Sequence, residues 1–316
     1  MLLLGKVVVG ILNKNYVDVL PLCINSLLSQ TYSDYVVLVI DGQSTDGSIE
    51  YLKDVSNKNS KIEYFIQENP GIGVARNEAL EYINRNHSDA THVIWGDSEN
   101  VYPSDYLENI MNCEGDIVGG RNIVISESVW GQSLWWYYNG LNGKGVLGNN
   151  EKIKYSILKE LGWSNSPRLD DALFHQKAVN AGYTLSKCPG AEIYVNTANS
   201  IHEILNWQKV KAKGISLTGA NENLSVGTFS GKHMSIYILI FLLLLSSLFT
   251  IITYFKDFLF VSVLLIYLVG SFFLFFSGLK YIKNVNYLTF FIIFPYFILH
   301  YPIIILFYIK YKFLMD

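Results

Sequence analysis

Residues 93–107, VIWGDSENVYPSDYL, join a short apolar run to a pair of carboxylates. The apolar run is typical of a buried β-strand, and the strand is predicted to end at the Gly-Asp step. Asp97 and Glu99 then follow with one residue between them. Like charges at that spacing repel each other, so the pair predicts that a positive group binds between them.

Outward from this stretch, strands alternate with helices. The apolar runs at 6–12, 35–41, 61–67 and 91–97 predict strands, and the segments 17–30, 44–55 and 71–86 predict helices. Further helices are predicted over 152–162 and 169–182. The alternation predicts an α/β fold with a doubly covered, mostly parallel sheet. Because ligands of such sheets bind beyond the carboxyl ends of the strands, Asp41 and Asp97 are expected to share one cleft.

The composition separates the chain into two parts. Of 316 residues, 50% are apolar and only 16% are charged, and the apolar excess lies after Met234. We therefore predict a soluble domain over 1–232 and a membrane domain over 233–316, with apolar helices at 236–254, 258–279 and 287–309. The third run contains Pro295, His300 and Pro302, and it either spans with kinks or lies in the interface. The net charge of -3 argues against a nucleic-acid binder.

The three cysteines and the N-terminus bear on the compartment. Cys23, Cys113 and Cys188 are scattered and odd in number, fitting neither a metal spacing nor a disulfide framework, which favours a reducing compartment. The N-terminal MLLLGKVVVGIL has no charged n-region and no small-residue cleavage site, so it is interpreted as a first strand rather than a signal peptide.

Five motifs occur in a recognisable order: VVVGILNKN, VIDGQSTDGS, GIGVARNEAL, GDSENVYPSDYL and LDDALFHQKAVNAGY. Their order and spacing resemble those of family 2 glycosyltransferases, and the resemblance extends from Lys6 to about residue 214. It implies an inverting enzyme with an A-type nucleotide-sugar-binding fold, followed here by C-terminal transmembrane helices.

The resemblance assigns the acidic pair to a metal. A divalent cation, Mg²⁺ or Mn²⁺, would neutralise the leaving diphosphate, and hard cations take oxygen ligands. Asp97 would contact the ribose or the metal and Glu99 the metal directly, although the commoner family pair is two aspartates. The alternative is a capped turn before the helix near Pro103. His202 corresponds to a metal-completing histidine of some relatives, or is simply structural.

The resemblance also suggests donor-binding residues. Asp41 would contact the base or the nucleoside, and Asn13 and Asn15 follow strand one, where relatives place base-contacting groups. Arg76 and Asn77 would lie near the diphosphate and nucleoside, or Arg76 is a solvated helix charge.

The resemblance also suggests the catalytic base, because Asp170 and Asp171 open the predicted helix over 169–182, where relatives carry a Glu-Asp pair. Asp171 would take the proton from an acceptor hydroxyl, with Asp170 as its polar neighbour. The alternative is that both residues only cap the helix at its dipole.

The expected function is that of a membrane-anchored inverting glycosyltransferase moving a sugar from a UDP- or GDP-sugar to a hydroxyl acceptor, such as a lipid-linked sugar. The alternatives are transfer to polyprenyl phosphate, a nucleotidyltransferase and a non-catalytic membrane scaffold. A nucleotidyltransferase usually has a glycine-rich phosphate loop near strand one, and this sequence has none there. Lysines at 209, 211, 213, 232, 280 and 283 predict a multi-pass protein of the cell membrane with its catalytic domain in the cytoplasm.

Overall fold

The computed structural model describes residues 5–140, 148–165, 170–218 and 256–313. The chain divides into two compact units, one formed by residues 1–123 and 138–196 and the other by 124–137 and 197–316. The predicted domain boundary at residue 232 and the first predicted apolar helix, 236–254, lie outside the described residues.

The first unit is built on a sheet of eight strands: β1 Val7–Asn13, β2 Tyr35–Asp41, β3 Ile62–Ile66, β4 His92–Asp97, β5 Asn100–Val101, β6 Ile117–Val124, β7 Asn150–Lys154 and β8 Leu185–Val195. Their order across the sheet is β3-β2-β1-β4-β7-β6-β8-β5. The strands β3, β2, β1 and β4 are parallel, as the alternation of strands and helices predicts.

The prediction of a mostly parallel sheet is wrong for the other half. Strand β7 is antiparallel to both β4 and β6, and β5 is antiparallel to β8. Parallel neighbours need long crossover connections, usually helical. The regular strand–helix alternation stops after β4, so the later strands are free of that constraint.

The helices are α1 Leu20–Leu28, α2 Ser48–Lys58, α3 Ile72–Asn86, α4 Tyr106–Asn112, α5 Val129–Gln132, α6 Trp135–Asn139, α7 Tyr155–Leu161, α8 Asp170–Asn180, α9 Ile201–Thr218, α10 Lys256–Gly278 and α11 Thr289–Phe313. Two predicted starts need correction. Helix α2 begins at Ser48, because Asp46 accepts hydrogen bonds from both the backbone and the hydroxyl of that residue. The predicted helix over 152–162 is the end of β7 followed by α7.

The core of the first unit fixes β1 against β4. Trp95 is fully buried and packs edge-on against Trp163, which in turn stacks on Phe174. A Cβ on Gly10 would lie 2.7 Å from the Trp95 ring, so only glycine allows this close approach. This packing places the ends of β1 and β4 side by side.

The cysteine interpretation is wrong. Cys113, just after α4, is bonded to Cys188 on β8, and Cys23 is free and buried. The two bonded residues are 75 apart in sequence, yet their Cα atoms are 5.9 Å apart. A pairing across that separation depends on how α4 packs against β8, which the spacing of cysteines does not reveal.

In the second unit, α11 buries one face along its length, while α10 buries Ser271, Leu274 and Phe275 and exposes most of its other described side chains. Ile293, Tyr296, His300 and Ile304 recur at helical spacing and are all buried. Residues Ser262–Tyr281 form a helix long and apolar enough to cross a membrane. The segments Thr289–His300 and Pro302–Tyr308, bent by 42°, pass the same test when taken together. Pro302 accounts for the bend, since a proline removes a helical hydrogen bond.

Candidate active site

The ends of β1 and β2 form a rigid polar cluster around Asp41. Asn13 and Asp41 are paired in the register of these parallel strands. The fully buried carboxylate of Asp41 accepts hydrogen bonds from Asn13 Nδ2 at 2.7 Å, from the Ser44 backbone at 2.7 Å and from the Ser44 hydroxyl at 2.8 Å. The Asn13 Oδ1 atom is buried and has no hydrogen-bond partner among the described residues. It is an acceptor available to a bound ligand.

Asn15 belongs to the same cluster through its backbone conformation. Its φ is 57°, in the left-handed region that asparagine tolerates better than most residues. Its Oδ1 accepts from the Thr45 backbone at 2.8 Å, and its own N–H donates to the Ser44 hydroxyl at 2.8 Å. The side chain of this predicted donor-binding residue thus ties the β1 loop to the β2 loop.

The end of β4 carries the two half-buried carboxylates, Asp97 and Glu99. Burial and the neighbouring charge of Glu99 raise the pKa of Asp97 to about 7. Burial also raises the pKa of Glu99, although a hydrogen bond from Tyr16 opposes the shift. The charge of Arg76 also opposes the shift of the Asp97 pKa, but burial and the neighbouring carboxylates outweigh it.

The start of α8 brings a second acidic pair to the same place. Burial raises the pKa of Asp170 to about 6 against the opposing effect of Arg76. The charges of Asp170 and Asp171 also contribute to the raised pKa of Asp97, so the start of α8 lies within electrostatic range of the end of β4. Asp171 is half-buried and accepts from its neighbour Ala172 N at 2.8 Å.

Arg76 is an interior residue, and its interpretation as a solvated helix charge is wrong. It is 3% exposed. Its Nη1 lies 2.9 Å from Asp170 Oδ2, and its guanidinium lies 4.3 Å from the centre of the Trp163 ring. A buried guanidinium needs such a counter-charge, and the ring face adds a cation–π contact. Arg76 therefore anchors the start of α8.

Asn77 holds a neighbouring loop. Its Nδ2 donates to the Trp163 carbonyl at 3.0 Å and to Asn165 Oδ1 at 2.8 Å. Its Oδ1 accepts from the Trp163 backbone at 2.9 Å. Both ends of the amide are engaged, and its assignment to the donor stays a prediction.

Two buried residues next to this site have no role in the sequence interpretation, Glu151 and His175. His175 Nε2 donates to Glu151 Oε2 at 2.6 Å, and both side chains are at most 4% exposed. Burial by itself lowers the pKa of His175, but the Glu151 carboxylate reverses this and raises it overall. Glu151 lies in the short stretch NEKIK, which forms β7, and the first four residues of that strand are all buried. A carboxylate within such a strand is the sequence feature that could have indicated its role.

The acidic pair of β4 fits a divalent cation. In the described ranges, no group of three or more His, Cys, Asp or Glu side chains is arranged to hold a metal ion. A Mg²⁺ site, however, commonly uses one or two carboxylates and takes its remaining ligands from water and substrate phosphates. Burial raises the pKa values of Asp97 and Glu99, and a bound cation would favour their charged forms. His202 lies on α9, in the second unit, and is exposed.

Comparison with known proteins identifies the family of this region. Residues 7–135 match the model of glycosyl transferase family 2. The chain is 32% identical over 132 residues to the glycosyltransferase GlyA of Streptococcus pneumoniae, and 32% identical over 107 residues to the cholesterol galactosyltransferase of Borreliella burgdorferi. These matches cover 40% and 34% of this chain but only 18% and 28% of the relatives' own lengths.

The fold has a counterpart among solved structures. The mannosyltransferase PcManGT from Pyrobaculum calidifontis, solved with GDP-Man and Mn²⁺, superposes with a TM-score of 0.52. The match covers 67% of this chain and 62% of that one at 17% sequence identity, so it supports the fold alone. The chain therefore carries a glycosyl transferase family 2 domain on a mixed α/β fold with an eight-stranded sheet.

Proposed function

We propose that this chain, with its glycosyl transferase family 2 domain, is a membrane-anchored inverting glycosyltransferase. It moves a sugar from a UDP- or GDP-sugar to a hydroxyl of the acceptor, most simply a lipid-linked sugar. One observation carries the proposal: the segment that pairs with the end of β4, where Asn150 lies opposite Gly96, also donates a backbone hydrogen bond from Gly148 to Asp171 at the start of α8. That arrangement supplies a metal-and-diphosphate side and a base side to one reaction.

The donor side uses the ends of β1, β2 and β4. Asp41 and Asn13 offer buried acceptor atoms to a nucleoside, and Asp97 and Glu99 would hold Mg²⁺ or Mn²⁺. A bound divalent cation neutralises charge that develops on the leaving diphosphate. The neighbouring fold of PcManGT carries GDP-Man and Mn²⁺, which supports this class of donor and cofactor. His202 stays in the proposal as a further metal ligand, to be tested by His202→Ala.

The acceptor side uses Asp171. In an inverting displacement the hydroxyl attacks opposite the diphosphate and must lose its proton. A half-buried carboxylate at the first turn of a helix accepts that proton in a fixed orientation. The same carboxylate would repel a phosphate nucleophile, which favours a hydroxyl over polyprenyl phosphate. A relative named for cholesterol, whose acceptor group is a hydroxyl, supports a lipid acceptor of this kind.

The membrane side uses the region after residue 233. Helix α10 is apolar on every side, with Leu265, Val269 and Phe273 among many exposed residues. Exposed apolar surface of this extent favours a lipid environment. The lysine distribution favours a multi-pass protein with a cytoplasmic catalytic domain. Labelling of a cysteine placed at Lys312, from each side of sealed vesicles, tests this topology. Labelling only from outside would show that α11 spans fully.

A donor screen tests the activity. The full chain in detergent or lipid, supplied with UDP- and GDP-sugars and hydroxyl-bearing lipid acceptors, should transfer one sugar in a metal-dependent reaction. If polyprenyl phosphate is supplied and the product has sugar bonded directly to it, the chain is a polyprenyl-phosphate glycosyltransferase and the hydroxyl acceptor is wrong. Neither transfer nor donor hydrolysis under any condition would favour the non-catalytic scaffold.

A further inference from the structure

Residues 148–151, GNNE, contact Arg76, the start of α8 and the residue that follows Glu99. In the antiparallel register of β4 and β7, Asn150 lies opposite Gly96 and Glu151 opposite Trp95. Gly148 and Asn149 therefore continue past the end of β4, where Asp97 follows Gly96.

Gly148 touches both Arg76 and Asp171 through its backbone. Its carbonyl accepts from Arg76 Nη2 at 2.8 Å, and its N–H donates to Asp171 Oδ2 at 3.4 Å. A Cβ added here would lie 2.8 Å from Arg76 Nη2 and 2.9 Å from Asp171 Cβ. Position 148 therefore has no room for a side chain unless Arg76 or Asp171 moves.

Asn149 and Asn150 connect the segment to the metal side. The Asn149 carbonyl accepts from Asn100 Nδ2 at 2.9 Å, and Asn100 directly follows Glu99. Asn150 is buried; its Oδ1 accepts from the Tyr106 hydroxyl at 2.8 Å and its Nδ2 donates to Asn122 at 2.8 Å. Buried and hydrogen-bonded on both ends, Asn150 resists displacement.

Glu151 adds a buried negative charge behind the segment. It pairs with His175, which lies one turn after Asp171 on α8, and it lies 4.0 Å from Arg76 Nη1. Arg76 in turn pairs with Asp170 at 2.9 Å. Arg76 therefore lies between the carboxylates of Glu151 and Asp170. Helix α8 is held at Asp170 by Arg76 and at His175 by Glu151, both from other elements.

We infer that Gly148 and Glu151 are positioning residues, which fix the position of the Asp171 carboxylate relative to the acidic pair of β4. Gly148 acts through its contacts with Arg76 and Asp171, and Glu151 acts through Arg76 and His175. The inference rests on the proposed role of Asp171 as base. It explains why a glycine stands two residues before β7 and a buried carboxylate stands on β7, beside the end of β4. Neither residue touches a reacting atom: Gly148 holds the Asp171 carboxylate through its backbone N–H, and Glu151 holds His175 on the same helix.

The first test is Gly148→Ala, with Gly190→Ala as its matched control, since a Cβ at Gly190 meets nothing within 4 Å. We expect kcat of Gly148→Ala to fall by roughly 10²-fold, the loss that a displacement of about 1 Å produces, while donor affinity and donor-binding stoichiometry stay as in the parent. Gly190→Ala should leave both unchanged. A merely structural role would instead lower the fraction of molecules that bind donor.

The second test is Glu151→Gln, with Glu63→Gln as its control, because Glu63 pairs with His87 at 2.8 Å in the same unit. Glu151→Gln should lower kcat without changing the KM for the donor, and Glu63→Gln should change neither. A Glu151→Gln enzyme with parental kcat, or one whose loss matches its loss of donor-binding molecules, overturns the positioning role of Glu151.

A crystal structure of Gly148→Ala separates this inference from the proposed activity. The Asp171 carboxylate should be displaced from the position it has in the parent structure. An unmoved Asp171 overturns the inference whether or not the chain transfers sugar. Conversely, a displaced Asp171 in a chain that transfers nothing would support the positioning role and count against the proposed function.

Discussion

Two strands that flank β1 in the sheet, β2 and β4, end in carboxylates with opposite surroundings. At the end of β2, Asp41 is fully buried and receives three hydrogen bonds from Asn13 and Ser44. At the end of β4, Asp97 faces Glu99, and burial together with that charge raises its pKa to about 7. The two sites differ in partners rather than in residue type.

The difference indicates what each site requires from outside. A carboxylate whose oxygens already accept several hydrogen bonds is preorganised, and its position does not change when a ligand binds. A carboxylate held beside another without a counter-ion is electrostatically unfavourable until a cation arrives. We therefore expect metal to act at β4 and structural order to dominate at β2.

The largest effect should come from the metal at β4. Chelator should abolish transfer. Glu99→Gln should lower kcat/KM by roughly three powers of ten or more, which corresponds to several kcal/mol of activation free energy, because the charge of the diphosphate is no longer neutralised. The measurement is a rate assay with Mg²⁺ or Mn²⁺ added back. Glu192→Gln, which removes a carboxylate paired with Arg121, is the control and should keep full activity. Full activity in chelator would refute the metal assignment.

The next effect should come from the base at the start of α8. Asp171→Asn should keep donor binding and lose transfer by roughly 10²–10⁴-fold, the range for general base catalysis. Donor affinity by titration and kcat on a hydroxyl acceptor are the measurements. Asp89→Asn, an exposed residue paired with Lys6, should change neither. An Asp171→Asn enzyme with undiminished kcat would remove the base and the argument for a hydroxyl acceptor.

The sequence predicts the parallel half of the sheet better than the antiparallel half. Local periodicity predicts β1 to β4 and α3, because each is a short-range pattern. The antiparallel entry of β7 between β4 and β6 depends on pairing over long sequence separations. For the same reason Glu151 is recognisable as a site neighbour only once its register opposite Trp95 is known.

The partners of Arg76 illustrate the same limit. A helix pattern can place Arg76 near the start of α3, but whether it meets water or Asp170 depends on α8, more than 90 residues later. The bond between Cys113 and Cys188 depends likewise on the packing of α4 against β8. Motif order predicts the candidate site residues one by one, while the contacts of Arg76 and of Glu151 required the fold.

A smaller effect, on stability, should come from the polar cluster at β2. Asp41→Asn replaces an acceptor oxygen by an amino group that faces the donors of Ser44 and Asn13. Leaving buried donors without an acceptor costs roughly 1–3 kcal/mol in the free energy of unfolding. Denaturant unfolding of the purified chain measures this, and Asp54→Asn, on the exposed face of α2, is the control. An unchanged unfolding midpoint would mean that Asp41 is held for its ligand and adds no structural order.

The smallest effect should separate backbone from side chain at Asn15. Asn15→Gly keeps the left-handed φ of 57° accessible but loses the hydrogen bond to Thr45 N. Asn15→Ala loses that bond as well and adds a left-handed penalty of about 1 kcal/mol. We therefore expect Asn15→Ala to unfold more easily than Asn15→Gly by about that amount, and the donor affinities of both variants to follow their loop stability. If Asn15→Gly and Asn15→Ala bind donor equally weakly at equal stability, the Asn15 amide itself contacts the donor, and the β2 cluster is a ligand site in the same sense as β4.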